Sequence, residues 1–193
     1  LGHAVGSRGE AGRGKSRLVE SFRERARDAG FRIVVAHILD FGTASGGDPM
    51  RQLARLLLSV APDATADTRS TAIERAIVDG EADEDDRAFL FDLLNLPQPP
   101  ALQPVFDAMT HTVRAHGRSR AVARLCRRVS RRTPVLVVIE DAHWADPPTL
   151  AALARLARRM SDCRGMLVMT TRLEGDPFDR AWRTEAPDAA MLV

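Results

Sequence analysis

Apolar positions along the chain recur with two different periods, and the two alternate. Between residues 15 and 29, Leu18, Val19, Phe22 and Ala26 return at the spacing of one helix face, and Gly30 ends the run. Residues 31–39 carry Ile33, Val34, Val35, Ile38 and Leu39 and read as a buried strand. After a glycine-rich break at 42–47, Asp48-Pro49 opens a helix that the pattern carries to Val60, proline being at home at the first helical position. The stretch 65–94 reads as two helices around the acidic residues 81–86, and 95–104 as a proline-rich connector. A basic amphipathic helix is expected over 119–131, with Val122, Leu125 and Val129 on one face, while 114–120, containing His116-Gly117-Arg118, reads as irregular. Val135 to Ile139 are consecutive aliphatics, the pattern of a central parallel strand buried on both sides. Asp146 caps a helix with Pro147 at its first position, running to Met160, and 166–169 is a further apolar strand. With a short, apolar-poor strand at 3–7, the alternation predicts a doubly wound or related parallel α/β sheet, without internal repeat.

Composition narrows this only slightly. With 193 residues, 45% apolar and 28% charged, the chain suits one α/β domain with a real core. No apolar run approaches the roughly 20 residues of a membrane helix, and no secretory pattern opens the sequence. A net charge of +2 does not argue for nucleic acid or an anionic membrane as partner. Cys126 and Cys163 stand in no metal or redox spacing, so a reducing cytoplasm is the expectation. The start at Leu1 and the strand-like end at Met191-Leu192-Val193 read as a piece of something longer.

The chemistry begins at Gly9-Glu10-Ala11-Gly12-Arg13-Gly14-Lys15-Ser16, which fits G-x-x-x-x-G-K-[ST] at every fixed position. Gly9, Gly12 and Gly14 let the backbone curl so that successive amides point at phosphate oxygens, and the helix beginning near Lys15 adds its positive end. Lys15 is expected at the β- and γ-phosphates and the Ser16 hydroxyl on magnesium. Arg13 stands at a free position, and with Arg17 it completes the expected nucleotide-binding set. A glycine-rich turn with an incidental Lys-Ser is the bland alternative.

The strand 135–139 ends in Glu140-Asp141. Carboxylates at the end of a buried strand beside a phosphate loop form the Walker B arrangement, one holding magnesium and the next orienting or deprotonating water. By position Glu140 takes the metal role and Asp141 the base role, although the residue types reverse the usual Asp-then-Glu order and the two roles can be exchanged. Trp144 reads as a packing anchor, and His143 as either a nucleotide contact or a side chain satisfied by a carbonyl. At the end of the next strand, Thr170-Thr171-Arg172 offers hydroxyls and a guanidinium that can sense a γ-phosphate. The alternative pairs Arg172 with Glu174 or Asp176.

Together, 9–12 with Arg17-Leu18-Val19-Glu20, the run Ile139-Glu140-Asp141-Ala142-His143-Trp144-Ala145-Asp146-Pro147, and Met169-Thr170-Thr171-Arg172 resemble the AAA-type ATPase module of signal-transduction (STAND) proteins. The resemblance is to the form found in bacterial class III adenylate/guanylate cyclase-type multidomain regulators, within the origin-recognition-like group. The connector Leu93-Leu94-Asn95-Leu96-Pro97-Gln98-Pro99-Pro100 and the segment from Glu174-Gly175-Asp176-Pro177 to Trp182-Arg183 share it. It implies a P-loop NTPase fold of three layers, α/β/α, over a central parallel sheet with an additional strand. One core would span 1–193, with a helical insertion at about 62–132. It further implies ATP or ADP with Mg2+ as ligand and a switch regulating fused cyclase and helical-repeat domains. A winged-helix lid would follow, and without it turnover should be slow. ATP is favoured by the resemblance, no dedicated guanine reader being visible.

Two other functions stay open. A nucleic-acid-handling ATPase would use the arginines Arg118, Arg120, Arg124, Arg127, Arg128, Arg131 and Arg132, although a solvated helix face explains them too. A nucleotide-binding scaffold without hydrolysis is the third reading.

Overall fold

The structure, a computed structural model, describes residues 3–8, 15–39, 48–161, 163–172, 176–178, 182 and 189–192. Its parallel sheet has the order β2-β3-β4-β1-β5, formed by β1 (His3–Arg8), β2 (Arg32–His37), β3 (Val135–Glu140), β4 (Gly165–Thr171) and β5 (Ala189–Leu192). Strand β4 lies between β1, which leads toward the glycine-rich sequence, and β3, which carries the acidic pair. The chain is therefore a P-loop NTPase-type α/β sheet with the additional strand in place.

Alternation along β3 builds two layers of core. Val135, Val137 and Ile139 join a large apolar cluster under α2 (Pro49–Leu57), α6 (His111–Arg132) and α7 (Pro147–Met160). Leu136 and Val138 face the other way, onto Val19 and Ala26 of α1 (Lys15–Asp28). A strand buried on both faces by helices has no room for polar residues, hence the run of aliphatics. Gly165 opens β4 because a Cβ there would stand 2.2 Å from the Val135 carbonyl oxygen.

Helix ends follow local chemistry. Asp48, Thr65, Thr110 and Asp146 each accept a backbone N–H of the first turn. Helix α2 stops at Leu57, short of the Val60 its apolar pattern suggests. Ser59 turns left-handed (φ 57°), and the Val60 N–H returns to the Arg55 carbonyl at 2.9 Å. Arg32 supports this serine-made terminus, donating to the Leu56 and Leu57 carbonyls at 2.7 and 3.0 Å and to Ser59 Oγ at 2.9 Å.

Between β2 and β3 lie α2, α3 (Ala66–Val78), α4 (Arg87–Leu93), the short α5 (Gln103–Asp107) and α6. Here the structure corrects the expected irregularity at 114–120. Helix α6 runs unbroken from His111, and Gly117 sits inside it as a packing residue. A Cβ at that position would stand 2.1 Å from the Phe89 ring, so glycine lets α4 and α6 touch.

Most of the arginines of α6 are not simply solvated. Arg118, Arg120, Arg124, Arg128 and Arg132 reach back to acidic residues in and before α4, while Arg127 and Arg131 are exposed. Arg124 donates to Asp86 Oδ2 at 3.1 Å and lies 3.3 Å from Asp83, while Arg120 Nε stands 3.4 Å from Asp86 Oδ1. Arg128 pairs with Asp83, Arg132 with Glu81 at 2.7 Å, and Arg118 with Asp92. Asp86 is 2% exposed, and burial lifts its carboxyl above the ordinary range more than the two arginines lower it.

Candidate functional site

Of the residues expected at the site, Gly9, Gly12, Arg13 and Gly14 lie outside the described residues. Lys15 and Ser16 open α1, and Arg17 follows them on its exposed side. Strand β1 pairs with β4 through Arg8 and Thr171, and β3 pairs with β4 through Ile139 and Met169. The exit of β1, Glu140-Asp141 and Thr170-Thr171-Arg172 therefore stand together at the carboxyl edge of the sheet. That is where open α/β sheets receive their ligands.

Glu140 closes β3 opposite His37, the last residue of β2. Its side chain is 27% exposed and lies between two basic groups, Arg23 Nη1 of α1 at 3.8 Å and His37 Nδ1 at 3.3 Å. Arg23 also binds Glu20 at 2.8 Å. Sequence reasoning missed both neighbours of Glu140. Arg23 is legible only once α1 is known to pack beside β3, and His37 only once β2 and β3 are paired in register.

Asp141 leaves the strand in the left-handed conformation, φ 60° and ψ 42°. Aspartate enters that region more readily than most residues, though at a cost of order 1 kcal/mol or more. The turn is fixed by its own N–H, which donates to Thr170 Oγ1 at 3.1 Å. The Thr170 hydroxyl thereby ties the strand end carrying Asp141 to β4. The Asp141 carboxylate itself remains 57% exposed, with His143 Nδ1 at 4.0 Å. His143 is buried and stacks on Trp144 at 4.8 Å between centroids, and Trp144 packs against the large core, as expected of an anchor.

Thr171 is buried, and its hydroxyl donates to the Arg172 carbonyl at 3.3 Å. Arg172 is exposed and holds its guanidinium 5.8 Å over the Trp144 ring. Glu174, its expected partner, lies outside the described residues. Downstream, Phe178 and Trp182 bury their rings against each other at 4.6 Å, and Trp182 Nε1 donates to the Leu150 carbonyl of α7 at 3.1 Å.

Among the described residues, no three His, Cys, Asp or Glu side chains converge as a metal cage. A hard cation here would need one carboxylate, a hydroxyl, water and ligand oxygens, the set that magnesium accepts. Glu140, partly exposed at the strand end, fits such a role.

A sequence profile described as AAA ATPase domain matches residues 8–169. The chain belongs to that family. This AAA ATPase domain is also 31% identical, over 172 residues, to an uncharacterized protein of Rhizobium meliloti (strain 1021). The match covers 89% of this chain and 16% of that protein, so the domain corresponds to a small part of its relative. Family membership makes it a nucleotide-binding ATPase domain of the P-loop class. No helix among the described residues is long and apolar enough to cross a membrane.

Proposed function

We propose that this domain binds Mg-ATP at the carboxyl edge of β1, β3 and β4, and that nucleotide state, rather than rapid turnover, is its output. The observation that carries the reading is the alignment of Glu140-Asp141 and Thr170-Thr171-Arg172 beside the exit of β1 toward the glycine-rich sequence. In this reading the amides around Gly9, Gly12 and Gly14 and the ammonium of Lys15 hold the phosphates, with Arg13 and Arg17 alongside. Ser16 and Glu140 hold magnesium, whose charge offsets that of the phosphate oxygens. Asp141 orients water, and Thr171 and Arg172 respond to the γ-phosphate.

Two features favour slow hydrolysis. The Asp141 carboxylate is open to solvent, whereas a general base works best in a site closed to water. Glu140 already has Arg23 and His37 beside it, so metal must compete with those neighbours for its carboxylate. A regulatory role within a larger signalling protein, as in STAND-type cyclase regulators, is part of the proposal, and the small share of the relative that matches is compatible with it.

A fluorescent ATP analogue titrated with and without magnesium, beside a phosphate-release assay, tests the reading. Magnesium-dependent binding with turnover slower than release of the nucleotide supports a switch. Fast steady hydrolysis abolished by Asp141→Asn would make the domain a working ATPase instead. The nucleic-acid alternative loses its main support, because most of the arginines it invoked are paired with carboxylates of the same chain.

A further inference from the structure

Four guanidinium groups converge on one cavity at the outer face of the helical layer. Arg120, Arg124 and Arg127 project from α6 at helical spacing, Ala123 leaves space between them, and Arg159 enters from the last turn of α7. The cavity measures about 260 Å³, and these five residues line it. It lies away from the strand ends that carry Glu140. Helix α7 starts beside the carboxyl end of β3 and returns toward the start of β4, so its last turn faces the opposite edge of the sheet.

The charges around this cavity do not balance. Arg120 and Arg124 share the single buried carboxylate of Asp86, and Arg124 shares Asp83 with Arg128. For Arg127 and Arg159, no carboxylate lies within ion-pair range among the described residues. Arg159 Nη1 is a buried donor with no hydrogen-bond acceptor among the described residues, and Arg120 Nε, also buried, has only its ion-pair contact with Asp86 Oδ1 at 3.4 Å. Arg159 also loses some of its hold on its proton, through burial and through the charges of Arg158, Arg120 and Arg124. Complementing the carboxyl end of α7 does not explain this, since an exposed cation would serve and no donor would need burying.

We propose that the pocket formed by Arg120, Arg124, Arg127 and Arg159 is a second ligand site, taking a small multivalent oxyanion of the phosphate or diphosphate type. Guanidinium forks match such oxygens in pairs, and an anion there would offset the positive charge that Asp86 and the shared Asp83 leave unbalanced. The volume lies below that of drug-sized pockets, which suits a phosphoryl group rather than a whole nucleoside. Ligand here would tie α6 to α7 at their outer face, away from the nucleotide edge, and so act on the domain as an effector.

The probe is inorganic pyrophosphate without magnesium, titrated calorimetrically into the Lys15→Ala chain, so that the proposed phosphate loop makes no contribution. Saturable binding is expected there, weakened at least about tenfold by Arg159→Gln and by Arg127→Gln. Arg127 is exposed, so its substitution leaves folding intact, and far-UV circular dichroism checks both variants. Failure of the Lys15→Ala chain to bind pyrophosphate, or binding by either glutamine variant as tight as that of the Lys15→Ala chain, overturns the site. So does a short single-stranded oligonucleotide that binds through the same arginines and is not displaced by pyrophosphate, since the face would then read a nucleic-acid backbone. None of these outcomes depends on whether Mg-ATP binds at the other edge.

Discussion

At the carboxyl edge of the sheet, Glu140, Asp141 and Thr170 are placed by strand register and one hydrogen bond from a backbone N–H to the Thr170 hydroxyl, and the Asp141 carboxylate stays 57% exposed. Between α3 and α6 the arrangement is reversed. There Asp86 is 2% exposed, held by Arg120 and Arg124, and the helices around it are fixed by side chains meeting across long stretches of sequence. The backbone positions the first region and leaves its polar groups available to a ligand. The second uses its polar groups up, except at the arginine pocket. A domain can thus carry a responsive edge on a segment made rigid by internal ion pairs.

The comparison can be broken by stranding the buried carboxylate. Replacing Arg120 and Arg124 together by leucine leaves Asp86 buried without a partner, at an expected cost of about 3–5 kcal/mol in urea unfolding. Adding Asp86→Asn should recover much of that loss, and a triple variant as unstable as the double would show that packing, not charge, holds the segment. Gly117→Ala comes next, because its methyl must displace the Phe89 ring, for about 1–3 kcal/mol with nucleotide affinity unchanged. On the other side of the comparison, Thr170→Val removes the hydroxyl that accepts the Asp141 N–H. It should cost about 1 kcal/mol of stability and disturb nucleotide response more than stability.

The smallest effect is one of pH. Asp86 holds its proton more tightly in the folded chain than in the unfolded one, its folded value being raised. Its contribution to stability is full below the ordinary carboxylate value and is lost as pH rises through the raised one. Measured against Asp86→Asn, the parent chain should therefore lose stability over that window as pH increases.

What the sequence made legible was whatever rests on local chemistry. The aliphatic run of β3, the Asp146-Pro147 start of α7 and the Gly30 stop of α1 are each set by neighbours in the chain, and each stands as expected. Two misreadings came from residues whose reason is tertiary. Gly117 reads as a helix breaker until Phe89 is beside it, and Ser59 gives no sign of the left-handed turn that ends α2 until Arg32 reaches it. The arginines of α6 carry no information about their partners either, since Arg124 and Asp86 are 38 residues apart. At the site, the order of strand ends was implicit in the motifs. The left-handed Asp141 and the Arg23–Glu140–His37 contacts were not, because register and helix placement create them.

The most direct test of the nucleotide reading is calorimetric titration of Mg-ATP into the parent chain and into Lys15→Ala, both checked for native circular dichroism. The account predicts saturable binding by the parent and a loss of about a hundredfold in the variant, the scale of one strong charge-assisted contact. A folded parent chain that takes up no magnesium nucleotide, or a variant that binds as tightly as the parent, would contradict it.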